Sequence, residues 1–263
     1  MSKRKIVLLA SALCMVAILA IGGTLAYFTD TQEVTNTFTA GGVKIKLIEQ
    51  QSSEDGKSLV PYVDGQTLMP IVGSAQTDPK NDVGQPTSGN YIDKIVTIEN
   101  TGKSDAWVRA YFAIPSALDD GYETFNAGAN ILHFNFGNKD GVSTEGNQWK
   151  WTHDGKWNYF ETTIDNIKYN VYFADYYQTL AAKATTEQFI SGVYLDSHVD
   201  MVDSKYVDTR FPNADLSILN GTVSCPVKAV AVQADGFDNA DAAVTAAFGA
   251  QYNPFGGEAT NWQ

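Results

Sequence analysis

The chain has 263 residues, with 18 basic and 30 acidic side chains and a net charge of −12 when histidine is neutral. This acidic balance argues against nucleic acid or an anionic membrane surface as a partner. The two cysteines are Cys14, in an apolar N-terminal run, and Cys225, so the rest of the chain cannot form an internal disulfide.

The first 26 residues have the pattern of an export signal. Three cations precede an uncharged apolar run from Ile6 to Ala26. Such cations stay on the cytoplasmic side, and the small residues Thr24 and Ala26 are typical of the −3 and −1 positions of a signal-peptidase site. We therefore expect cleavage after Ala26, so that the secreted protein begins at Tyr27. The alternative is an uncleaved leader, which would be the only contact with the membrane.

Removal of this leader changes the charge balance. It leaves residues 27–263, with 15 basic and 30 acidic side chains and hence a net charge of −15. Such a charge suits solubility outside the cell, although binding to cations is an alternative. The length that remains suits a single all-β domain.

Residues 27–42 are predicted to be extended, because threonines and aromatic residues favour strands. Phe28, Val34 and Phe38 are separated by even numbers of residues, so they would share one face of an extended chain. Such a segment can pair within its own sheet. It can also add to the exposed edge of a neighbouring copy, which makes residues 27–42 a candidate assembly strand.

Period-two alternation predicts strands along most of the remaining chain. The main runs are residues 43–47, 106–114, 132–136, 167–173, 189–195 and 227–234. Pro115 should end the second run, and the turn residues at 99–105 predict a hairpin-like connection. Residues 51–90 contain four prolines and are predicted to form a long loop excursion with a short edge strand.

The pattern as a whole predicts an all-β fold, an antiparallel β-sandwich of jelly-roll type. A short helix is expected at residues 238–248, near the C-terminal end of the sequence. Asp238 or Asn239 can cap its N-terminus, and Gly249 can end it.

The leader and the residues after it resemble a known family. The pattern G-G-T-L-A-Y-F-T-D-T, followed by N-T-F-T-A-G-x-V, is similar to the start of the TasA/camelysin family. These are exported proteins of Gram-positive bacteria that a SipW type of signal peptidase processes. The matching residues are Gly22, Gly23, Thr24, Ala26, Phe28, Asp30, Phe38, Gly41 and Val43. The resemblance implies a jelly-roll sandwich, secreted or at the cell surface, that associates with itself into fibres of an extracellular biofilm matrix.

No catalytic or cofactor-binding constellation is visible. His133, His153 and His198 are isolated; His133, on the polar face of a strand, and His153, in a turn, are expected to be ordinary surface histidines. The chain lacks the H-E-x-x-H pattern that places two zinc ligands one helical turn apart. The sequence therefore predicts a protein that is not an enzyme and has no cofactor. A peptidase of the camelysin type is the least favoured of three functional hypotheses.

An acidic stretch offers the best metal candidate. Asp196, Asp200, Asp203 and Asp208, with His198, could supply ligands to calcium. Their spacing matches no known calcium loop, and an acidic, solvated connection is the favoured interpretation.

Two further residue types were open to two interpretations each. Trp149 and Trp151 alternate with Lys150 and could stack on a glycan or bind a protein, which supports a second hypothesis of a cell-surface binding module. They could equally pack inside the sandwich. Cys225 is interpreted as a small buried hydrophobic residue, and a reactive thiol is the alternative.

Overall fold

The structure is a computed structural model that describes residues 29–33, 36–37, 42–53, 57–63, 92–121, 130–136, 148–196, 198–203 and 205–263. Antiparallel strands dominate these residues and form two main sheets with one hydrophobic core between them. This confirms the predicted all-β, sandwich-like fold. Most of the predicted loop excursion, residues 64–91, lies outside the described residues.

Seventeen strands are described. In chain order they are β1 (Thr29–Glu33), β2 (Asn36–Thr37), β3 (Ile45–Ser52), β4 (Leu59–Pro61), β5 (Ile92–Asn100), β6 (Ala106–Pro115), β7 (Leu132–Phe136), β8 (Trp149–Lys150), β9 (Thr152–His153), β10 (Lys156–Trp157), β11 (Tyr159–Ile164), β12 (Ile167–Tyr176), β13 (Ile190–Leu195), β14 (Val199–Val202), β15 (Lys205–Asp208), β16 (Val227–Gln233) and β17 (Ala259–Thr260). A 3₁₀ helix spans Ser217–Asn220, and the helix α1 spans Ala240–Phe248.

The strands divide into two main sheets and two small hairpins. The larger sheet has the order β17-β11-β12-β6-β16-β1-β2, with β8 paired to β12. The smaller sheet has the order β4-β3-β5-β13-β7, so β4 is the short edge strand expected within residues 51–90. The pairs β9–β10 and β14–β15 form separate hairpins.

Alternation along β6 places its two faces in two different cores. Val108 and Phe112 face the core between the sheets, and Trp107 and Tyr111 face a second core on the outer side of the larger sheet. The whole of β6 is therefore buried, which is the pattern of a strand covered on both faces. Pro115 ends the strand as predicted.

The helix α1 covers the second core and begins and ends as the sequence predicts. The Asn239 side chain accepts a hydrogen bond of 2.9 Å from the backbone N–H of Ala242, so Asn239 is the N-cap. Gly249 follows the last turn with a φ of +96°, a conformation that glycine adopts without strain.

The connection at residues 99–105 corrects one prediction. It joins β5 of the smaller sheet to β6 of the larger sheet, so it crosses the sandwich and is not a hairpin. The backbone N–H of Gly102 donates to the carbonyl of Lys44 at 2.9 Å, and the Asn100 side chain donates to the carbonyl of Leu180 at 3.0 Å. These bonds satisfy the crossing backbone without strand pairing.

Candidate functional site

One edge of the larger sheet is closed by β1 and β2, and β1 lies next to β16. This strand pairs with β16 through four residue pairs, from Thr29↔Val232 to Gln32↔Ala229. Its sequence, T-D-T-Q-E, consists of polar residues only, whereas β16 is an apolar and mostly buried strand. Backbone hydrogen bonds are therefore the main interaction that a strand of this sequence can make with the sheet. Pairing within its own sheet, one of the two alternatives left open above, is what the structure shows.

The described parts of residues 27–42 form two short strands, β1 and β2, and the role of this segment in assembly stays a prediction. β2 pairs antiparallel with β1, through Gln32↔Thr37 and Glu33↔Asn36, so the chain reverses between the two strands.

The individual residues of the predicted cleavage and assembly sites are not described. Phe28, Val34 and Phe38, and the cleavage-site residues Thr24, Ala26 and Tyr27, lie outside the described residues. Their roles stay predictions.

The two tryptophans proposed as an exposed binding pair lie inside the sandwich. Trp149 is 3 % exposed and Trp151 is 5 % exposed. The Trp149 ring nitrogen donates to the carbonyl of Glu187 at 3.2 Å, and Trp151 stacks on Phe189 with ring centroids 4.6 Å apart. The outward-facing interpretation is therefore wrong, because alternation in β8 turns only Lys150 to solvent.

Two of the isolated histidines meet at one aspartate. His133 Nε2 lies 2.8 Å from one carboxylate oxygen of Asp196, and His198 Nδ1 lies 2.7 Å from the other. His133 is only 6 % exposed and stacks on Tyr194, so the prediction of a surface histidine is wrong for it. Burial alone would raise the pKa of Asp196, but hydrogen bonds from both histidines lower it well below its usual range.

The acidic stretch forms the hairpin β14–β15, and Asp208 at the end of this hairpin is buried, so the stretch is not a solvated connection throughout. Asp208 is fully buried, and Arg210 donates to both of its carboxylate oxygens, at 3.0 and 2.6 Å. Arg210 also lies 3.3 Å from Asp196. Burial would raise the pKa of Asp208, but the bonds from Arg210 lower it. Because Arg210 and the histidines already occupy these carboxylates, they are poorly suited to calcium.

No group of three or more His, Cys, Asp and Glu side chains that could hold a metal ion occurs in the part of the chain that the structure describes. Cys225 is partly buried against the core between the sheets, and burial raises the pKa of its thiol to about 12.

Sequence reasoning missed two buried polar groups. Arg109 lies under α1 and forms a bidentate ion pair with Asp175, at 2.6 and 2.9 Å, and a third contact with Asp241 at 2.7 Å. Asp119 accepts hydrogen bonds from Tyr172 at 2.7 Å and Asn170 at 2.8 Å, and burial raises its pKa. The one sequence feature that pointed to a buried polar group was Arg109 itself, a charged residue within an otherwise apolar strand.

The fold and the edge strand together define an all-β sandwich protein whose first strands close one edge of its larger sheet. The family model described as camelysin metallo-endopeptidase matches residues 2–54. This range includes the predicted leader and β1 to β3, and the match confirms the resemblance to the TasA/camelysin family at the N-terminal part of the chain. The family indicates a secreted or cell-surface protein, although its description also carries a peptidase label.

Comparisons with curated proteins and with solved structures gave no match. Within the described residues, no helix has both the length and the hydropathy that a membrane crossing requires.

Proposed function

We propose that this protein is a secreted structural component of the cell surface or extracellular matrix that assembles with copies of itself by exchanging β1. The observation that supports this most directly is the pairing of β1, a polar strand, with the apolar strand β16 at the edge of the larger sheet. A neighbouring copy can supply the same strand to the same edge with the same register.

The energy of the β1 contact makes such an exchange feasible. A net backbone hydrogen bond contributes about 1 kcal/mol, and ordering one residue costs about 1–2 kcal/mol. For a strand joined through four residue pairs, these two terms oppose each other and have the same order of magnitude. A β1 strand from a neighbouring copy restores the same ladder on β16, so exchange changes the energy of this contact little in either direction.

Removal of the predicted leader would control the exchange. While the leader remains in the membrane, β1 is tethered within a few residues of it and cannot reach a neighbour. Cleavage after Ala26 by a signal peptidase would then permit assembly. The net charge of −15 after cleavage makes copies repel one another, so salt or divalent cations should promote assembly.

The test compares a chain of residues 27–263 with one of residues 41–263, by electron microscopy and sedimentation. We expect the longer chain to form fibres and the shorter chain to fold but stay monomeric. The shorter chain keeps the acceptor edge but lacks the donor strand, so small amounts of it should cap and shorten the fibres of the longer chain. Identical fibres from both chains would show that strand exchange is wrong.

We also infer that the peptidase label does not describe this chain. The lack of a metal-binding group among the described residues supports this inference. Casein cleavage should be absent with and without a chelator. Chelator-sensitive cleavage that is lost in His198→Ala would contradict the inference. The binding-module hypothesis has lost its main support, because Trp149 and Trp151 are buried.

A further inference from the structure

The edge of the larger sheet that lies opposite β1 is also closed by a short segment, formed by residues 258–263, which we call the docking segment. It runs antiparallel to β11, with the residue pairs Thr162↔Ala259 and Glu161↔Thr260. The backbone N–H of Gln263 donates to the carbonyl of Tyr159 at 3.0 Å, which extends the contact along β11. This is the geometry by which proteins bind an extended peptide at a sheet edge.

Side chains add specific contacts to this backbone pairing. The Thr162 hydroxyl donates to the carbonyl of Glu258 at 2.9 Å, and the Asn261 side chain donates to Glu161 at 2.8 Å. Trp262 stacks on Phe160, with ring centroids 4.2 Å apart and an interplanar angle of 23°. Trp262 is the only large apolar residue of the docking segment, so it should dominate its binding energy, as anchors do in protein interfaces.

Two glycines precede the docking segment and can act as a hinge. Gly256 and Gly257 are exposed and have φ angles of +80° and +74°. A side-chain carbon at Gly256 would meet no atom within 4 Å, and the backbone there is held by hydrogen bonds with Asn253, whose side chain donates to the Gly256 carbonyl at 2.7 Å. Glycine changes its backbone conformation more readily than other residues, so the docking segment can swing away from its own sheet once the contacts of Ala259 and Trp262 with the second core are released.

We infer that the edge of β11 with Phe160 is a recognition site for an extended segment carrying one aromatic anchor, and that its partner in an assembly is the docking segment of a second copy. The contacts with a second copy would repeat those within one chain. A flexible tether gives the cis segment an effective concentration of about millimolar. Exchange is therefore expected when copies are crowded together, and it does not depend on β1.

Disulfide trapping tests this inference. Thr162→Cys and Ala259→Cys are made in two separate chains of residues 27–263, which lack Cys14, and both carry Cys225→Ser, so that only contact between the two introduced cysteines of different copies gives the heterodimer. Mild oxidation of the mixture at about millimolar concentration should give a disulfide-linked heterodimer. The matched control replaces Thr162→Cys with Thr163→Cys, whose side chain points to the other face of the sheet. Absence of the heterodimer, or an equal yield with Thr163→Cys, would overturn the inference.

A peptide experiment measures the site directly. A synthetic peptide of residues 258–263 is titrated into a chain that stops at Gly257. We expect saturable binding, at least tenfold weaker for the peptide with Trp262→Ala. If circular dichroism shows that the shortened chain is folded, and the two peptides bind equally or not at all, the proposal of a recognition site is refuted. If it unfolds, the disulfide experiment on full chains decides.

Discussion

The ion pairs of Arg109 provide the sharpest test of how this fold is stabilised. The Arg109 side chain is 5 % exposed and contacts two aspartates that differ greatly in exposure, Asp175 at 12 % and Asp241 at 59 %. Removing one partner of a buried ion pair costs about 3–5 kcal/mol, because the other charge is left uncompensated. An exposed pair contributes about 0–1 kcal/mol. Asp175→Asn should therefore lower the free energy of unfolding by about 3–5 kcal/mol, and Asp241→Asn by less than about 1 kcal/mol.

Guanidinium chloride unfolding, followed by tryptophan fluorescence, measures both variants against the parent chain. Each substitution removes one negatively charged partner of the same arginine, so each variant serves as the control for the other. The double variant Arg109→Met with Asp175→Leu should recover part of the loss, because an apolar pair of similar volume needs no desolvation of charge. If Asp175→Asn and Asp241→Asn lowered the free energy of unfolding equally, burial would not determine the strength of these ion pairs, and the reasoning would be refuted.

Three further predictions concern titratable groups. The pKa values of Asp196 and Asp208 are lowered in the folded state. The stability that the two ionised carboxylates contribute should therefore be present above about pH 4 and lost as the pH falls further. Midpoints of denaturant unfolding at about pH 7 and pH 3 will show this loss, and Asp208→Asn should make the difference between the two midpoints smaller. Burial raises the pKa of Asp119, so stability should fall as the pH rises from the usual aspartate pKa of about 4 through the raised value, and Asp119→Asn should remove this dependence when unfolding is followed from about pH 4 to about pH 9. Because burial raises the pKa of the Cys225 thiol to about 12, a thiol reagent at about pH 8 should modify it slowly in the folded protein and rapidly in denaturant.

Alternation in the sequence predicted the strands well because it is a local property. The strands at 106–114 and 227–234 and the helix at 238–248 were found with small errors at their ends. The pattern could not show which strands pair, and this explains the error at residues 99–105, where turn residues occur in a connection between two sheets. Turn composition indicates that the chain changes direction, and it does not indicate where the next strand lies.

The charged clusters could not be predicted, because their members are far apart in the sequence. Arg109 and Asp175 are separated by 66 residues, and His133 and Asp196 by 63. Only the pairing of β6 with β12 and of β7 with β13 brings these residues together. The interpretation of His133 as a surface residue failed for the same reason. Its neighbours in the sequence indicate a polar strand face, but Asp196 and Tyr194, which are distant in the sequence, cover this face in the structure.

The two edges of the larger sheet share one feature that links the fold to assembly. An unpaired edge strand favours pairing with another chain, so folded proteins cover their edges. Here β1 and β2 cover one edge and β17 covers the other; both covers are short strands that pair through the backbone, and at β17 the Trp262 contact with Phe160 is added. A backbone ladder is the same whether the strand comes from the same copy or from a neighbour. The surface charge opposes close approach of copies until salt screens it. Covers of this kind would keep single copies soluble, and both edges would become available for exchange where copies are concentrated and their charge is screened.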